Sequence, residues 1–325
     1  MQEIMVSVVC LTFNHEKYLR KTLEGFVRQK TDFDYEVIIH DDASTDGTAK
    51  IIREYQEKYP HLVKPVFQKE NQYSQGISIT KEHILPRIKG KYVALCEGDD
   101  FWCDESKLQK QVDALEKHPE CMFSAHIVQR IDKEGNALEG TFPARKMDEG
   151  FLTLNDLVEE EFKKERWFLH LSSYLIRADV YSSYMRNKPE FSRAFYRMGD
   201  LPMVLYLLSL GNAWFVACPM SCYRVLSGGV MSKMAQDRAY AVKVAESKIC
   251  GLTLFDDYSR GKYHDALEEA VCAEEIRVFS LKREYEKLRN RKYIRHILRH
   301  KKNPKSMIWY VIAIVFPKLA RKIAS

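Results

Sequence analysis

The chain has 325 residues, of which 46% are hydrophobic, enough for one large domain or two modest ones and too many for a disordered protein. Its net charge of +6 is unevenly spread: residues 282–325 hold fourteen Lys and Arg and two acidic residues, a net +12, which leaves −6 for residues 1–281. An acidic body with a basic tail argues against a uniformly basic nucleic-acid-binding protein and predicts a separate partner for the tail.

The first part of the chain alternates between short apolar runs and amphipathic segments, which is typical of βαβ units. Strands are predicted at Ile4–Leu11, Tyr35–His40, Val63–Phe67, Tyr92–Cys96 and Cys121–Ile131. Helices are predicted between them, at His15–Gln29, Thr48–Tyr59, Ile77–Ile88 and Ser106–Lys117. Because parallel strands need helical crossovers, we expect an α/β fold with a doubly wound, mostly parallel sheet, helices on both faces, and ligands at the carboxyl ends of the strands.

Beyond Ile131 the pattern is less regular. A hairpin turn is predicted at Lys133–Asn136, a strand at Leu171–Ile176 and an apolar helix at Leu201–Leu210. From about Met234 glycine is rare and charged residues follow a helical period. We therefore expect one domain over residues 1–232 and a helical, basic extension over residues 233–325.

Two features indicate the cellular compartment. The eight cysteines include no CxxC pair and no Cys/His array with zinc spacing, so reduced and mostly buried thiols are expected. The N-terminal segment Met1–Met5 has no basic stretch followed by an apolar run, so no signal peptide is predicted. Both observations predict a cytoplasmic protein.

Three polar clusters follow predicted strands, where an open α/β sheet binds its ligands. They are Thr12-Phe13-Asn14, Asp41–Thr48 and Glu97-Gly98-Asp99-Asp100. The carboxylates of the last cluster repel one another, and a hard divalent cation with oxygen ligands removes that conflict and bridges to a diphosphate. The alternative is that Asp99, Asp100 or Asp104 only caps the following helix.

The aspartate pair at the end of the second strand has acceptor oxygens that suit a nucleobase N–H or a ribose hydroxyl. Asp42 is the member that we assign to a nucleotide. Thr45 or Asp46 caps the helix that follows. The alternative for the whole segment is a capping box with surplus acidic residues.

Three segments occur in a fixed order: Val-Ser-Val-Val-x-x-Thr-Phe-Asn from Val6, Asp-Asp-Ala-Ser-Thr-Asp-Gly-Thr from Asp41, and Gly-Lys-Tyr-Val-Ala-Leu-Cys-Glu-Gly-Asp-Asp-Phe-Trp from Gly90. Together they resemble glycosyltransferase family 2, over residues 5 to about 232. The resemblance implies the GT-A fold and inverting transfer of a sugar, as in bacterial surface-polysaccharide synthesis. It also implies a nucleoside-diphosphate sugar donor, most often a UDP-sugar, with Mg²⁺ or Mn²⁺ and a glycan or lipid-linked acceptor.

Carried over residue by residue, the resemblance implies that Asp42 contacts the base and that the segment from Glu97 to Asp99 is the DxD element. Asp99 is then the ligand of the metal and the diphosphate, and Glu97 replaces the usual first aspartate with a longer arm. The predicted donor site also contains Thr12, Phe13, Asn14 and Asp100.

Two later segments also match the family. In similar enzymes the acid that corresponds to Asp200 is the general base for the acceptor hydroxyl; the alternative is an N-cap ahead of Pro202. The segment 223–232 looks like Tyr-Arg-x-His-x-Gly-Gly near the diphosphate, with Leu226 in place of the histidine. Arg224 is predicted either to neutralise phosphate or to form a structural salt bridge.

The roles of two other side chains, Trp102 and His170, each allow two interpretations. Trp102 follows the acidic cluster and either lines the sugar or acceptor pocket or belongs to the core. His170 either contacts the acceptor or has a structural role, which is more usual for a single histidine near a strand.

The tail begins with a basic helix predicted over Tyr285–Lys302. After Pro304 comes the apolar run Met307–Phe316, which as a helix is about 15 Å long and too short to span a bilayer. We expect the tail to lie on an anionic membrane, peripheral on its inner face, with Trp309 and Tyr310 at headgroup depth. The alternatives are packing on the protein's own core or on a second subunit of a homo-oligomer. Nucleic acid is not expected as a partner, because no base-stacking module accompanies the basic helix.

Two rival functions follow from the same motifs. A sugar nucleotidyltransferase would need a Gly-rich loop with Arg or Lys after the first strand, and Thr12–His15 is not such a loop. A catalytically inactive scaffold that binds sugar nucleotides is the other rival, and intact Asp42, Asp99 and Asp200 argue against it.

Overall fold

The computed structural model describes residues 3–164, 169–227, 230–300 and 303–323. The chain divides into two compact units: the first consists of residues 1–157, 166–188 and 203–226, and the second of residues 158–165, 189–202 and 227–325. The domain boundary expected at residue 232 remains a prediction. Gly228 and Gly229 of the segment 223–232, and Lys301 and Lys302 of the predicted basic helix, lie outside the described residues.

A mixed sheet of ten strands organises the first unit. The strands are β1 Ile4–Thr12, β2 Asp34–Asp41, β3 Val63–Phe67, β4 Tyr92–Leu95, β5 Phe101–Trp102, β6 Cys121–Ile131, β7 Ala137–Phe142, β8 Gly150–Leu152, β9 Leu175–Arg177 and β10 Asn212–Arg224. Their order is β3–β2–β1–β4–β9–β6–β10–β5, with β7 beside β6 and β8 beside β10.

The strands β3, β2, β1 and β4 run parallel, as the βαβ pattern predicts, and the α/β fold class is confirmed. Beyond β4 the sheet is mixed: β9 lies antiparallel between β4 and β6, whereas β10 runs parallel to β6 and antiparallel to β5. The sequence pattern does not predict β10, because Pro219 interrupts its alternation and the register against β6 shifts on both sides of this residue.

Helices cover most of the segments with helical periodicity. They are α1 Glu16–Val27, α2 Thr48–Lys58, α3 Lys107–Lys117, α4 Leu154–Leu157, α5 Ala178–Arg186, α6 Glu190–Ala194, α7 Asp200–Leu210, α8 Val230–Gln236, α9 Arg238–Tyr258, α10 His264–Lys282, α11 Arg291–His300, α12 Pro304–Val315 and α13 Pro317–Ile323. π-helical turns occur at Thr80–Ile84 and Val158–Lys163, and 3₁₀ turns at Leu85–Arg87, Leu171–Ser173 and Tyr285–Arg289.

Two predicted elements of the first unit differ from the structure. The helix expected over Ile77–Ile88 is a π-helical turn followed by a 3₁₀ turn, since Pro86 has no N–H and cannot continue an α-helical ladder. The strand expected over Leu171–Ile176 begins as a 3₁₀ turn, because the His170 side chain accepts a hydrogen bond from the Ser172 N–H.

The core of the first unit lies between the sheet and helices α1, α2 and α3. Helix α1 buries Leu19, Leu23 and Phe26 at positions i, i+4 and i+7, and each such fully buried side chain contributes about 1.5–3 kcal/mol. Gly25 lets α1 approach β5 closely, since a Cβ there would lie 2.6 Å from the Trp102 carbonyl oxygen. This packing sets α1 beside the segment that follows β4.

The C-terminal helices of the second unit surround a small core of their own. The basic helix expected over Tyr285–Lys302 is interrupted at Asn290, whose extended backbone separates a 3₁₀ turn from α11. Trp309 and Tyr310, expected at headgroup depth, pack instead against this core. None of the helices in the described ranges combines the length and apolar character that crossing a bilayer requires.

Candidate active site

The carboxyl ends of β1 and β2 lie side by side, because Thr12 is paired with Asp41 in the parallel register. The Thr12 hydroxyl donates a hydrogen bond to the His40 carbonyl oxygen at 3.1 Å, and the Asp42 N–H donates to the Thr12 carbonyl oxygen at 3.0 Å. The first two polar clusters therefore meet at one edge of the sheet.

The loops after these two strands hold each other in place. Asn14 and Ala43 have left-handed backbones, with φ of 56° and 61°, which non-glycine residues adopt where the surrounding contacts fix them. The Asn14 N–H donates to Ser44 Oγ at 2.9 Å, and Asn14 Oδ1 accepts from the Thr45 N–H at 2.8 Å. Asn14 thus ties the two loops together, whereas the neighbouring Phe13 is 44% exposed.

Asp42 is buried, and both of its carboxylate oxygens accept backbone hydrogen bonds. Oδ1 accepts from the Gln72 N–H at 2.8 Å and Oδ2 from the Tyr73 N–H at 3.0 Å. The Asn71 side chain donates to the Asp42 carbonyl oxygen at 3.1 Å. Asp42 therefore fixes the loop after β3, and its predicted contact with a nucleotide would use the second acceptor position of each oxygen.

The third cluster lies just beyond β4, where side-chain oxygens of Glu97, Asp99 and Asp100 all lie within 4.8 Å of one another. Asp100 is buried: its Oδ1 accepts from the Arg224 N–H at 2.8 Å, and its Oδ2 has no hydrogen-bond partner among the described residues. Burial, and then the negative charge of Asp99, raises the pKa of Asp100 well above its ordinary value.

This arrangement fits a divalent metal ion. Crowded carboxylates raise the energy of the ionised state, and a hard cation with oxygen ligands, such as Mg²⁺ or Mn²⁺, lowers it. The buried Asp100 Oδ2, which has no hydrogen-bond partner within the described ranges, offers such an oxygen. The predicted ligands Glu97 and Asp99 thus share one group with Asp100.

The third cluster, residues 97–100, is named the acidic loop here, and hydrogen bonds attach its backbone to α1. The Thr22 hydroxyl lies 3.0 Å from the Gly98 carbonyl oxygen and 2.5 Å from the Asp100 carbonyl oxygen. A Cβ at Gly98 would lie 2.6 Å from Thr12 Cγ2 and 2.7 Å from His15 Nδ1, so that only glycine fits. The first and third polar clusters therefore touch each other.

The site residues predicted from the sequence include neither His15 nor Thr22. His15 Nε2 lies 4.0 Å from Asp99 Oδ2, and its buried Nδ1 has no hydrogen-bond partner among the described residues. A signal for His15 exists in the sequence, since it directly follows Thr-Phe-Asn. Thr22 carries no such signal, because its spacing is that of an ordinary buried helix residue.

The structure also shows the surroundings of His170 and Trp102. His170 Nε2 lies 3.9 Å from Asp100 Oδ2, and the ring packs on Tyr223 with 4.3 Å between centroids. Burial lowers the pKa of His170 to about 3, so the ring is neutral near pH 7. Trp102 is buried in the core, where its indole N–H donates to the Ser172 carbonyl oxygen at 3.2 Å.

Arg224, the last residue of β10, is buried and holds several backbone segments together. Its Nε donates to the Asp99 carbonyl oxygen at 3.0 Å, and its Nη1 donates to the carbonyl oxygens of Asp132 and Lys133 at 3.1 and 3.0 Å. The guanidinium also lies over the Tyr18 ring, 4.6 Å from its centroid. These contacts tie the acidic loop to the turn between β6 and β7, and the phosphate contact remains a prediction.

An open cleft of about 370 Å³ adjoins Arg224; the residues that line it with Arg224 are Lys17, Tyr18, Lys21, Lys133 and Glu134. Lys133 pairs with Glu134 at 3.3 Å. Lys21 Nζ lies 3.9 Å from the centroid of the Phe101 ring. Glu134 is thus matched by Lys133, which leaves the positive charges of Lys17, Lys21 and Arg224 in the lining. The cleft therefore carries net positive charge beside the acidic loop.

Asp200 belongs to the second unit and is the first residue of α7. Its Oδ1 accepts from the Leu201 N–H at 3.0 Å. Desolvation of this half-buried carboxyl raises its pKa to about 6. The role of general base remains a prediction.

Residues 7–186 match the family model described as glycosyl transferase family 2, and this is more than half of the chain. The chain belongs to glycosyltransferase family 2. The match begins within β1 and includes all three polar clusters, whereas Asp200 and Arg224 lie beyond it.

Curated relatives resemble the first part of the chain. An uncharacterized protein of Mycobacterium bovis is 44% identical over 138 residues, which are 42% of this chain and 39% of that protein. The putative teichuronic acid biosynthesis glycosyltransferase TuaG of Bacillus subtilis is 32% identical over 135 residues, 42% of this chain and 51% of that protein. The chain thus spans about half or less of the length of these relatives.

Solved structures of similar fold cover nearly the whole chain. S. aureus TarS 1–349 in complex with UDP has a TM-score of 0.57 and 16% identity, and the likeness covers 98% of this chain and 87% of that one. The mannosyltransferase PcManGT from Pyrobaculum calidifontis, in complex with GDP-Man and Mn²⁺, has a TM-score of 0.55 and 14% identity, with coverage of 98% and 86%. The predicted GT-A fold with a helical C-terminal region is confirmed.

Proposed function

We propose that this family 2 chain is a metal-dependent, inverting glycosyltransferase of polysaccharide synthesis. It moves a sugar from a nucleoside-diphosphate sugar, with a UDP-sugar as first choice, to a hydroxyl group of a glycan or lipid-linked acceptor. The carboxylates of Glu97, Asp99 and Asp100 at the end of a strand carry the proposal. The name of TuaG, the UDP bound to TarS and the GDP-Man and Mn²⁺ bound to PcManGT support it.

Glu97 and Asp99, with Asp100 beside them, are the residues that would hold Mg²⁺ or Mn²⁺. The bound ion supplies positive charge to the diphosphate as it leaves. The chain's own contribution is to keep the carboxylates together before any ligand arrives, because Thr22 and Arg224 hold the carbonyl oxygens of the loop. Binding then requires little rearrangement of the protein.

The loops after β1 and β2 receive the nucleotide. Phe13 offers an exposed aromatic face for a base. Asp42 accepts from the base or the ribose through the acceptor positions that Gln72 and Tyr73 leave open. Thr12 and Asn14, by contrast, contribute by holding these loops in position, as their hydrogen bonds to neighbouring residues indicate.

The cleft beside Arg224 supplies positive charge for the diphosphate. Lys17 and Lys21 lie one helical turn apart on α1, and Arg224 is held next to the acidic loop through the Asp99 carbonyl oxygen. Hydrogen bonds between cationic side chains and phosphate oxygens are among the stronger ones in proteins. The cations therefore attract the donor while the acidic loop attracts the metal.

Asp200 acts on the acceptor in this proposal. Its ionised carboxylate takes the proton of the acceptor hydroxyl while the acceptor oxygen bonds to the anomeric carbon and the bond from that carbon to the diphosphate oxygen breaks. One in-line displacement inverts the anomeric configuration. A carboxyl with a pKa of about 6 is ionised at neutral pH and accepts a proton more readily than an ordinary aspartate does.

A nucleotide-release assay on the purified full-length chain tests the proposal. A panel of UDP- and GDP-sugars is offered with Mn²⁺, with Mg²⁺ and with EDTA, first without an acceptor and then with one. We expect slow hydrolysis of one donor only when metal is present, and faster release when the acceptor is added. NMR of the transfer product should show the inverted anomer.

Other results of this assay identify the rivals. Donor binding that raises the melting temperature, without turnover under any condition, would identify the inactive scaffold. Release of pyrophosphate from a nucleoside triphosphate and a sugar phosphate would identify a nucleotidyltransferase. A retained anomer would contradict the single displacement and leave the transferase class intact.

A further inference from the structure

The last two helices expose an apolar surface, here named the apolar tail face. It consists of side chains that are 48–59% exposed: Ile308, Val311, Val315, Phe316, Leu319 and Ile323. They are six of the twelve large apolar residues that are exposed in the described part of the chain. Single exposed apolar residues are ordinary, whereas their concentration in one segment indicates a surface that another molecule covers.

The opposite side of the same helices is already covered. Ala313 and Ala320 are fully buried in the small core of the second unit, where Trp309 packs edge to face on Tyr285 with 6.0 Å between centroids. Arg289 Nε donates to a carbonyl oxygen of the last turn of α12 at 2.9 Å. The helices therefore dock through one side, and the apolar tail face takes no part in that docking.

Helical spacing explains how one apolar run has two sides. Ile308, Val311 and Val315 occupy positions i, i+3 and i+7 of α12 and so lie on one side of it. Leu319 and Ile323 are four residues apart on α13 and share one side of that helix. The sequence run alone predicts an apolar helix, and only the packing separates its buried side from its exposed one.

Cationic residues border the apolar tail face. Lys305 is exposed one helical turn before Ile308, and Lys318 is exposed directly before Leu319. Within the described ranges, neither lysine is paired with a carboxylate. Both belong to residues 282–325, whose fourteen Lys and Arg and two acidic residues give a net charge of +12. Each of the two helices therefore has an exposed lysine at its start and exposed apolar side chains after it.

We infer that the apolar tail face lies on an anionic lipid surface. Helix α12 has 12 residues, a length of about 18 Å, which is too short to cross a hydrocarbon core of about 30 Å but suits a helix in the interface. Acyl chains cover the apolar side chains, and anionic headgroups pair with Lys305 and Lys318.

A second copy of the chain suits this face less well than lipid does. Self-association through the apolar tail face would bring together two segments that each carry a net charge of +12, and like charges in contact repel. An anionic bilayer instead satisfies both parts of the surface. The inference goes beyond the proposed transferase activity and does not depend on it.

Co-sedimentation of the full-length chain with vesicles tests the inference. Vesicles of phosphatidylcholine alone are compared with vesicles that also contain phosphatidylglycerol, at low and at high salt. We expect binding to the anionic vesicles that salt reduces but does not abolish, because the charge contribution is screened and the apolar contribution is not. Binding to neutral vesicles should be weak.

Matched variants separate the two contributions. Ile308→Ser should lower the partition onto anionic vesicles about tenfold at every salt concentration, since it removes apolar area that the lipid buries. Lys305→Gln should lower it about fivefold at low salt only. Leu210→Ser and Lys50→Gln, at exposed positions of the first unit, are the controls and should leave vesicle binding unchanged. Circular dichroism and thermal unfolding should be unchanged in all four.

Three results would overturn the inference. One is no sedimentation with anionic vesicles at low salt. Another is a dimer without lipid, measured by analytical ultracentrifugation, that Ile308→Ser dissociates; the second copy would then be the occupant. The third is equal binding to neutral and anionic vesicles, which removes the role of the lysines. A chain that binds vesicles but releases no nucleotide supports the inference while contradicting the transferase proposal.

Discussion

The two strands that flank β1 each end in a turn with adjacent aspartates, and the structure uses the two pairs in opposite ways. After β2, the carboxylate of Asp42 accepts two backbone N–H groups, and Asp41 Oδ1 accepts the Ser44 hydroxyl at 2.5 Å. After β4, Asp100 lies close to Asp99 and Glu97, and its Oδ2 has no hydrogen-bond partner among the described residues.

The difference lies in what the neighbouring backbone offers. The loop after β3 turns the N–H groups of Gln72 and Tyr73 toward Asp42, so that carboxylate is satisfied within the protein. Around the acidic loop, the Thr22 hydroxyl and the Arg224 side chain bind carbonyl oxygens, and the Arg224 N–H donates to Asp100 Oδ1 alone. We therefore expect the first pair to stabilise the fold and the second to be stabilised by the positive charge of a bound cation.

The largest effect that this comparison predicts is on transfer by Asp99→Asn. We expect the fold to persist and metal-dependent nucleotide release to fall by about 10⁴-fold or more, because a metal ligand in the charged loop is lost. Mn²⁺ should also no longer raise the affinity for the donor nucleotide in calorimetry. Asp113→Asn, an exposed aspartate of α3, is the control. Normal turnover of Asp99→Asn in EDTA would contradict a metal role for the loop.

Asp200 differs from both aspartate pairs. Its carboxylate accepts one hydrogen bond, from the Leu201 N–H, and is partly desolvated. Asp200→Asn should lower the transfer rate by about 10²–10⁴-fold, as is typical for loss of an acid–base group, while donor affinity stays near normal. Single-turnover kinetics and calorimetry with the donor nucleotide measure the two quantities. Loss of donor binding, or unfolding, would assign Asp200 to a structural cap.

Stability measurements compare the two aspartate pairs directly. In the metal-free chain, Asp42→Asn should lower the free energy of unfolding by about 1–3 kcal/mol, since one oxygen that accepts a backbone N–H is replaced by a donor. Asp99→Asn should raise it or leave it unchanged, because repulsion in the acidic loop is relieved. Urea denaturation gives both values. An equal loss of unfolding free energy in the two variants would contradict the proposed difference between the two aspartate pairs.

The pH dependence of transfer tests the state of Asp200. A base with a pKa of about 6 must be ionised, so kcat/KM should be level above pH 7 and fall about tenfold per unit below pH 6. If the base had the pKa of an ordinary aspartate, kcat/KM would stay level down to about pH 4. The profile of Asp200→Asn should lack this step. A wild-type rate that is flat from pH 8 to pH 5 would exclude a desolvated carboxyl as the base.

The smallest effect concerns the cations beside the acidic loop. Lys17→Gln and Lys21→Gln should each raise the KM for the donor about fivefold at low salt, with little change in kcat, because an exposed charge contributes about 1 kcal/mol to phosphate binding. Lys50→Gln on α2 is the control. A change in kcat without a change in KM would mean that these lysines do not act in donor binding.

The amino-acid sequence by itself specifies the local elements and the motifs. β1, β2 and β3 are apolar runs of strand length, and α1 and α2 have helical spacing, so each can be recognised within its own segment. The three polar clusters follow β1, β2 and β4 directly, and the parallel arrangement of these strands predicts that the clusters share one edge of the sheet. Family membership follows from the same contiguous motifs.

The partners of the site residues follow from the fold and not from any local pattern. Asp42 meets Gln72 and Tyr73 about thirty positions along the chain, and the Arg224 N–H meets Asp100 at a separation of 124 residues. Periodicity reports which side of an element is apolar, but a hydrogen bond across such a separation depends on where whole strands and loops are placed. The same reason explains why both Asp42 oxygens accept a backbone N–H, whereas Asp100 accepts one on Oδ1 only.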